Sequence, residues 1–391
     1  MDSCLPKAIR ATNEGRRTFC KFLSANDTGA TGAHQSGVYI PKNSIPILFD
    51  KPGTKGENKH RWVEIRWHDG CITKSRFIYY GQGSRNEYRI TNFGKGFPYF
   101  RPDFIGSLFI LVQDDDDSYR AFVLDTEDDI DEYMSTFSIG VTETNRLLDL
   151  AGTDVEAREL AAFDSYIQSL LVGFPLSSEM ARAARAIDEK LYDHQELIIT
   201  NPDKKLVDWT DLEYRLFRAL EKSRYSMILS RGFENVDDFV AVANEVLNRR
   251  KSRAGKSLEH HLGALFAGNQ IEYCAQAVTE GKKKPDFLFP SQSAYHDLSF
   301  PDEKLLTLAA KTTCKDRWRQ VITEADRLKG RAKYLCTLQQ GITSAQMDEM
   351  AAEQVVLVVP STYIGCYPAD RRDRIWTIGK FISFVKEKQA S

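Results

Sequence analysis

Three residues in the C-terminal third of the chain have side chains that together could hydrolyse a phosphodiester: Asp286, Lys311 and Glu324. That reaction needs a divalent cation, a water made nucleophilic beside it, and positive charge on the phosphate in its transition state. Magnesium prefers one or two carboxylates, with water and phosphate oxygens completing its shell, so two acids and a lysine suffice. Asp286 opens the apolar run PDFLFP just after a Gly-Lys-Lys-Lys turn, and Lys311 closes the run LLTLAAK. As neighbouring strands, these runs bring both side chains to one end of a sheet. Glu324 follows thirteen residues after Lys311, in DRWRQVITEADRL. That segment is expected to be a helix that returns its carboxylate to the metal. Glu259, on the polar face of an amphipathic helix, is a candidate acid standing behind the ligands.

Two basic stretches accompany this set. NRRKSRAGK carries Arg249, Arg250, Lys251, Arg253 and Lys256, and Lys311 to Lys333 holds eight Lys or Arg against three acids, in a chain of net charge −2. Such local stripes are the electrostatic footprint of a phosphate backbone; the plainer reading is a solvated basic helix face. Asp316, Arg317 and Arg319 have the chemistry to read G·C pairs, arginine through guanine O6 and N7 and aspartate through cytosine N4. Competing machinery is missing from the sequence. There is no G-x-S-x-G elbow, Walker loop or dinucleotide fingerprint. His260, His261 and His296 lack partners at zinc-site spacing.

The elements that must position these residues divide the chain. The first 170 or so residues contain short β-branched and aromatic runs (GVYIP, RWVEIRW, TKSRFIYY, YRITNF, SLFILVQ, RAFVL) punctuated by Gly, Asn, Asp and Pro, the pattern of a barrel or sandwich. Asp114–Asp117 and Glu127–Glu132 lack the ligand spacing of a calcium loop and are expected as solvated turns. Helical periodicity sets in near GFPLSSEMARAARAIDEKL. Beyond it comes an α/β alternation: helix GKSLEHHLGALFAGN with Ser257 as its N-cap, strands IEYCAQAV, PDFLFP and LLTLAAKTT, helix DRWRQVITEADRL, strand AKYLCTL, helix SAQMDEMAAE and strand VVLVVP. The expected organisation is a β domain over 1–173, a linker over 174–205 and a catalytic α/β domain over 206–391. At 391 residues, 42% hydrophobic and 28% charged, the composition is that of a globular protein. Seven scattered cysteines without a Cys-x-x-Cys pair, no signal-type start and no run of ~20 apolar residues point to a cytoplasmic protein with no membrane partner.

An aspartate followed by a strand-end lysine resembles the PD-(D/E)XK nuclease pattern, with one departure. The second acid belongs two residues before the lysine, where this chain has Ala309, so Glu324 is expected to replace it from the next element. More specifically, SANDTGATGAHQSGVYIP, RNEYRIT, NRRKSRAGKSLE, KKPDFLFPSQSAYHD and KTTCKDRWRQ resemble the EcoRII-type restriction endonucleases, in order and over nearly the whole chain. The resemblance implies an N-terminal effector-DNA-binding β-pseudobarrel and a C-terminal restriction-endonuclease-like α/β domain. It implies a type IIE homodimer that cuts double-stranded DNA at CCWGG or a related site with Mg2+ and extrudes the central base pair. Asp286, Lys311 and Glu324 would be catalytic, with Tyr295 and Lys315 also implicated, and Asp286 and Glu324 would hold the metal. His34, Tyr39, Arg85, Glu87 and Arg89 would contact effector DNA, whose binding would withdraw the N-terminal domain from the catalytic cleft. Gln82, Gly83 and Tyr88 replace lysines of relatives around RNE, which bears on the sequence recognised. A DNA-binding regulator on a decayed nuclease fold, suggested by Ala309, and a structure-selective repair nuclease are the competing readings.

Overall fold

Strand runs in the first third of the chain follow two patterns, and the pattern decides which faces are buried. Lys59–Trp67 alternates, burying Val63, Ile65 and Trp67 and exposing Trp62, Glu64 and Arg66, whereas Arg17–Phe22 and Leu108–Gln113 are buried almost throughout. The computed structural model describes residues 3–30, 37–148, 156–281 and 283–390. A helix, α1 (Leu5–Glu14), leads into β1 (Arg17–Phe22), β2 (Val38–Ile40), β3 (Lys59–Trp67), β4 (Ile72–Tyr80), β5 (Glu87–Thr91), β6 (Leu108–Gln113), β7 (Ser118–Leu124) and β8 (Arg146–Leu147). They form one barrel-like sheet in the order β2-β5-β4-β3-β7-β6-β1-β8, and β3 and β7 run parallel. Its interior holds Phe19, Val38, Ile65, Phe77, Ile90 and Leu111. The opposite faces of β1 and β6, with Cys20, Phe22, Ile110 and Val112, join a second core that also contains Leu258, Leu308 and Leu335 from the C-terminal half. Burial on both faces is what a continuous apolar run permits.

Asp114–Asp117 forms the expected turn between β6 and β7. Glu127–Glu132 does not form a turn; it begins helix α2 (Glu127–Phe137). Thr126 caps this helix by accepting from the Asp129 N–H, and three acids in its first turn suit the positive end of the helix dipole. Ile130, Tyr133, Met134 and Phe137 recur at helical spacing, and the first three are buried beneath it.

The stretch expected as a linker is helical. It carries α4 (Ser177–Tyr192), α5 (Leu197–Thr200) and the start of α6 (Pro202–Arg231). With α3 (Ala157–Ser169), α4 and α6 bury Phe163, Met180, Ala184, Leu212, Leu216 and Leu220. Helix α7 (Val236–Gly268) is capped by Asn235 and runs through Ser257 without a break, because the lone Gly255 is tolerated inside it. Ser257 therefore caps nothing; its hydroxyl donates to Glu213 on α6 at 2.8 Å.

The second sheet contains β9 (Cys274–Ala275), β10 (Phe287–Phe289), β11 (Leu306–Lys311), β12 (Lys333–Thr337) and β13 (Val355–Val358), in the order β13-β12-β11-β10-β9. Strands β11, β12 and β13 are parallel, and β10 is antiparallel to both neighbours. Helices α8 (Gln292–His296), α9 (Ser344–Ala352), α10 (Ser361–Ile364) and α11 (Ile378–Ala390) complete the domain. The strand expected over IEYCAQAV shrinks to two residues. DRWRQVITEADRL is no α-helix but two 3-10 turns, Arg317–Thr323 and Asp326–Leu328. Among the described residues, no helix is long and apolar enough to cross a membrane. All seven cysteines are free.

Candidate active site

Antiparallel pairing sets Phe287 opposite Leu308, so Asp286, one residue before β10, lies at the end of β11. Its Oδ2 accepts from the Ala310 N–H at 2.8 Å and from Lys311 Nζ at 3.5 Å. Its Oδ1 accepts from Gln276 Nε2 at 2.8 Å. The same amide donates to Glu259 at 3.1 Å, and Lys256 donates to Glu259 at 2.8 Å. Glu259 thus reaches Asp286 through a single intervening side chain. Ala309 is buried in the shared core.

Glu324 lies in the field of this pair. Burial, and then the neighbouring Asp286 carboxylate, push its carboxyl up to about 7, while Lys311 pulls it back. Its Oε2 is buried without a hydrogen-bond partner. Two carboxylates close enough to feel each other's charge, one of them with an idle buried oxygen, match the donor chemistry of a hard divalent cation. Among the described residues, no group of three His, Cys, Asp or Glu converges. A divalent cation held by two carboxylates alone would keep positions for water and phosphate oxygen.

Tertiary ties explain why the Glu324 segment is not helical. Thr279 Oγ1 donates to the Glu324 carbonyl at 2.7 Å. Glu280 accepts from the Asp326 and Arg327 N–H groups at 2.9 and 3.1 Å. Arg327 donates to Asp302 at 2.8 Å and to the carbonyls of Asp297 and Phe300 at 2.9 and 2.7 Å. Tyr295 belongs to this brace: it is buried, its hydroxyl donates to Glu280, and the Arg327 N–H donates to it at 3.2 Å. It makes no described hydrogen bond to Asp286 or Lys311. Sequence reasoning missed Gln276, Glu280 and Arg327, whose spacing carries no signal.

The basic candidates are engaged by carboxylates. Lys315 Nζ donates to Ser107 Oγ at 2.9 Å and pairs with Asp125. Glu127 accepts from the N–H groups of Asp316 and Arg317 at 2.7 and 3.0 Å and from Thr313 Oγ1 at 3.0 Å. The Arg317 guanidinium reaches Glu127 at 3.3 Å and pairs with Asp131. Arg319 meets Glu349 at 2.5 Å. On α7, Arg249 pairs with Glu245 at 2.6 Å, Arg250 with Glu221, and Lys251 with Glu132 of α2. Arg250 also donates to the carbonyls of Ser135 and Thr136 in α2. Arg253 is buried, 3.4 Å from Glu213 and stacked over Tyr214. A cavity of about 440 Å³ between α2 and α7 is lined by Asp131, Arg250, Lys251, Arg253 and Arg317. The acidic half of α2 thus pairs with basic residues across this cavity. The density of acids in EDDIDE was its only signal in the sequence.

Three effector-domain candidates, Tyr39, Glu87 and Arg89, lie on the two strands at the β2 edge of the first sheet, and Arg85 lies in the connection between β4 and β5. Tyr39 on β2 is in register with Arg89 on β5. Arg89 pairs with Glu87 at 3.2 Å and donates to the Gly37 carbonyl at 3.2 Å. Arg85 is exposed, 5.2 Å over the Tyr80 ring. His34 lies outside the described residues.

Comparison with known proteins covers both halves. Residues 217–382 match the family described as EcoRII C terminal, and residues 12–141 match restriction endonuclease EcoRII, N-terminal. The type II restriction enzyme EcoRII of Escherichia coli is 38% identical over 384 residues, covering 93% of this chain and 93% of the relative. Among solved structures, metal-depleted Ecl18kI in complex with uncleaved, modified DNA aligns with a TM-score of 0.47 at 20% identity, over 59% of this chain and 84% of that one. The restriction endonuclease PspGI–substrate DNA complex aligns with a TM-score of 0.45 at 16% identity, over 56% and 94%.

Proposed function

The chain belongs to the EcoRII family of type II restriction endonucleases and is a site-specific deoxyribonuclease; from that premise we propose that it is a magnesium-dependent, effector-activated homodimer cutting at CCWGG or a related site. Asp286 and Glu324 hold the ion, and the Lys311 ammonium orients the attacking water against the scissile phosphate. When bound, magnesium supplies a water of lowered pKa and charge on the phosphate oxygens. Lys315 adds a second cation to the transition state once it is free of Asp125. Asp316, Arg317 and Arg319 read G·C pairs from the major groove, and Arg249, Arg250 and Arg253 flank the cleft. Gln276 and Glu259 keep Asp286 oriented, and Tyr295 holds the Glu324 turn in place.

One observation carries the regulatory half of this reading. Asp125, Glu127 and Asp131 of the N-terminal domain engage Lys315, two backbone N–H groups and Arg317, donors that a DNA strand would otherwise claim. Effector DNA contacted by His34, Tyr39, Arg85, Glu87 and Arg89 withdraws those carboxylates, coupling two sites through two global states.

The test uses plasmids bearing zero, one or two CCWGG sites, incubated with the full chain and magnesium, with the cut ends sequenced. Fixed ends at that site, and faster cutting of the two-site plasmid, are expected. Sequence-independent ends, or equal rates on one and two sites, would overturn the proposal.

A further inference from the structure

The N-terminal domain also covers a turn of the catalytic sheet that carries two adjacent carboxamides, Gln339 and Gln340. Thr337, which ends β12, is in register with Lys311 on β11, so the turn starts just beyond the level of the lysine. Gln339 and Gln340 are 0% and 6% exposed. The described hydrogen bonds of both side chains all go to the other domain: Gln339 Nε2 donates to the Gly106 carbonyl at 3.2 Å, and Gln340 Nε2 donates to the Val141 carbonyl at 2.9 Å and to Thr144 Oγ1 at 3.1 Å. Gln339 Oε1 is buried without a partner.

Burying an unpaired amide oxygen costs free energy that an apolar side chain at a domain contact avoids. The backbone beneath these amides is held firmly. The Gln339 N–H donates to Thr337 Oγ1 at 3.1 Å, and the Tyr367 hydroxyl donates to the Gln339 carbonyl at 2.7 Å. A rigid turn presenting two amides beside the reactive edge, with one acceptor idle, suits a second partner. We propose that Gln339 and Gln340 read base edges of the substrate once the N-terminal domain has left, with Gln340 donating to a guanine. In the closed state its Nε2 addresses two acceptors at once, the arrangement that guanine O6 and N7 offer in the major groove; the idle Oε1 of Gln339 matches the cytosine N4 donor. This inference rests on the reading of the cleft as a DNA seat occupied by the protein's own domain.

The test pairs a base modification with side-chain substitutions. The full chain is assayed with saturating unmodified effector DNA on substrates in which each guanine of the site is replaced in turn by 7-deazaguanine, which lacks the N7 acceptor. At one guanine per half-site, the wild type should lose about 5- to 150-fold in cleavage rate, the worth of one good base contact. Gln340→Ala should lose no more than about 2-fold from the same replacement, because its contact is already gone. Gln340→Met, which keeps the volume, serves if alanine destabilises the turn, and a purely structural role would leave the guanine sensitivity of both variants equal to wild type. That equality, or a wild type indifferent at every guanine, would overturn the proposal for Gln340. Substrates carrying N4-methylcytosine opposite each guanine test Gln339 in the same way with Gln339→Met. A wild type that cuts nothing even with effector would overturn the nuclease reading beneath it.

Discussion

Lys315 of the catalytic half and Asp125 of the N-terminal half form an ion pair in which the lysine side chain is 7% exposed and the aspartate 52%. The lysine is thus sealed by a partner that water can reach from its other side. Removing the partner leaves a buried cation unpaired in the closed state, a larger penalty than the pair itself contributes.

Asp125→Asn combined with Glu127→Gln should therefore favour the open arrangement. Cleavage of a single-site plasmid without effector should rise about tenfold or more, equivalent to at least ~1.4 kcal/mol of lost docking. A rate equal to wild type would show that these carboxylates do not hold the cleft shut.

Gly106 sits at a φ of +83°, and a Cβ there would lie 2.4 Å from the Gly341 carbonyl oxygen across the domain boundary. Neither the backbone angle nor the space admits alanine. Gly106→Ala should leave the barrel folded and part the domains at this point, seen as faster hydrogen exchange in the 339–341 turn and effector-independent cutting. Protection unchanged from wild type would contradict the closeness of this contact.

Glu324 gives a metal test that does not require turnover. Its carboxyl is raised to about 7 from an ordinary 4.5, chiefly by burial. The protonated form is thus favoured in the fold, and the stability it contributes is fully present below about 4.5 and lost as pH rises through about 7. Without metal, Glu324→Gln should melt higher than wild type at pH 8, by at most about 3 kcal/mol, and equally at pH 4.5. Magnesium should stabilise the wild type at pH 8 and leave Glu324→Gln unaffected, and cleavage by the variant should fall by at least about a thousandfold. Equal stabilisation of both proteins by magnesium would remove Glu324 from the ligand set.

Asp211 of α6 is raised to about 6, first by burial and then by Glu143 of the N-terminal domain, against Thr142, Arg215 and Arg146, which lower it. Its Oδ1 is buried without a partner. Its contribution is present below about 3.8 and disappears as pH rises through about 6. Asp211→Asn should be more stable than wild type by up to about 3 kcal/mol at pH 7.5 and indistinguishable near pH 4, as read from denaturant midpoints. A constant gap across that range would mean the carboxyl does not titrate there.

The parts of this site that could be read from sequence are those set by local pattern. Asp286 and Lys311 lie at the ends of apolar runs, and strand pairing brings them together. Glu324 was identifiable as a residue but not in its conformation, because Thr279, Glu280 and Arg327 impose turns from elsewhere. Helix α2 escaped notice because its acids outnumber Ile130, Tyr133, Met134 and Phe137, which place it. The basic stripes were visible, but their partners were not. Lys251 meets Glu132 across 119 residues and Arg317 meets Asp131 across 186, and such pairings leave no trace in spacing.

The core holding Cys20, Phe22, Ile110 and Val112 is continuous with the one holding Leu308 and Leu335. In the proposed activation, releasing the N-terminal domain wets hydrocarbon as well as breaking ion pairs, so that step should carry a positive heat-capacity change. Apolar association weakens on cooling, and less effector should then be needed to unlock the enzyme at low temperature than at high, a thermal bias that electrostatic latches alone would not impart.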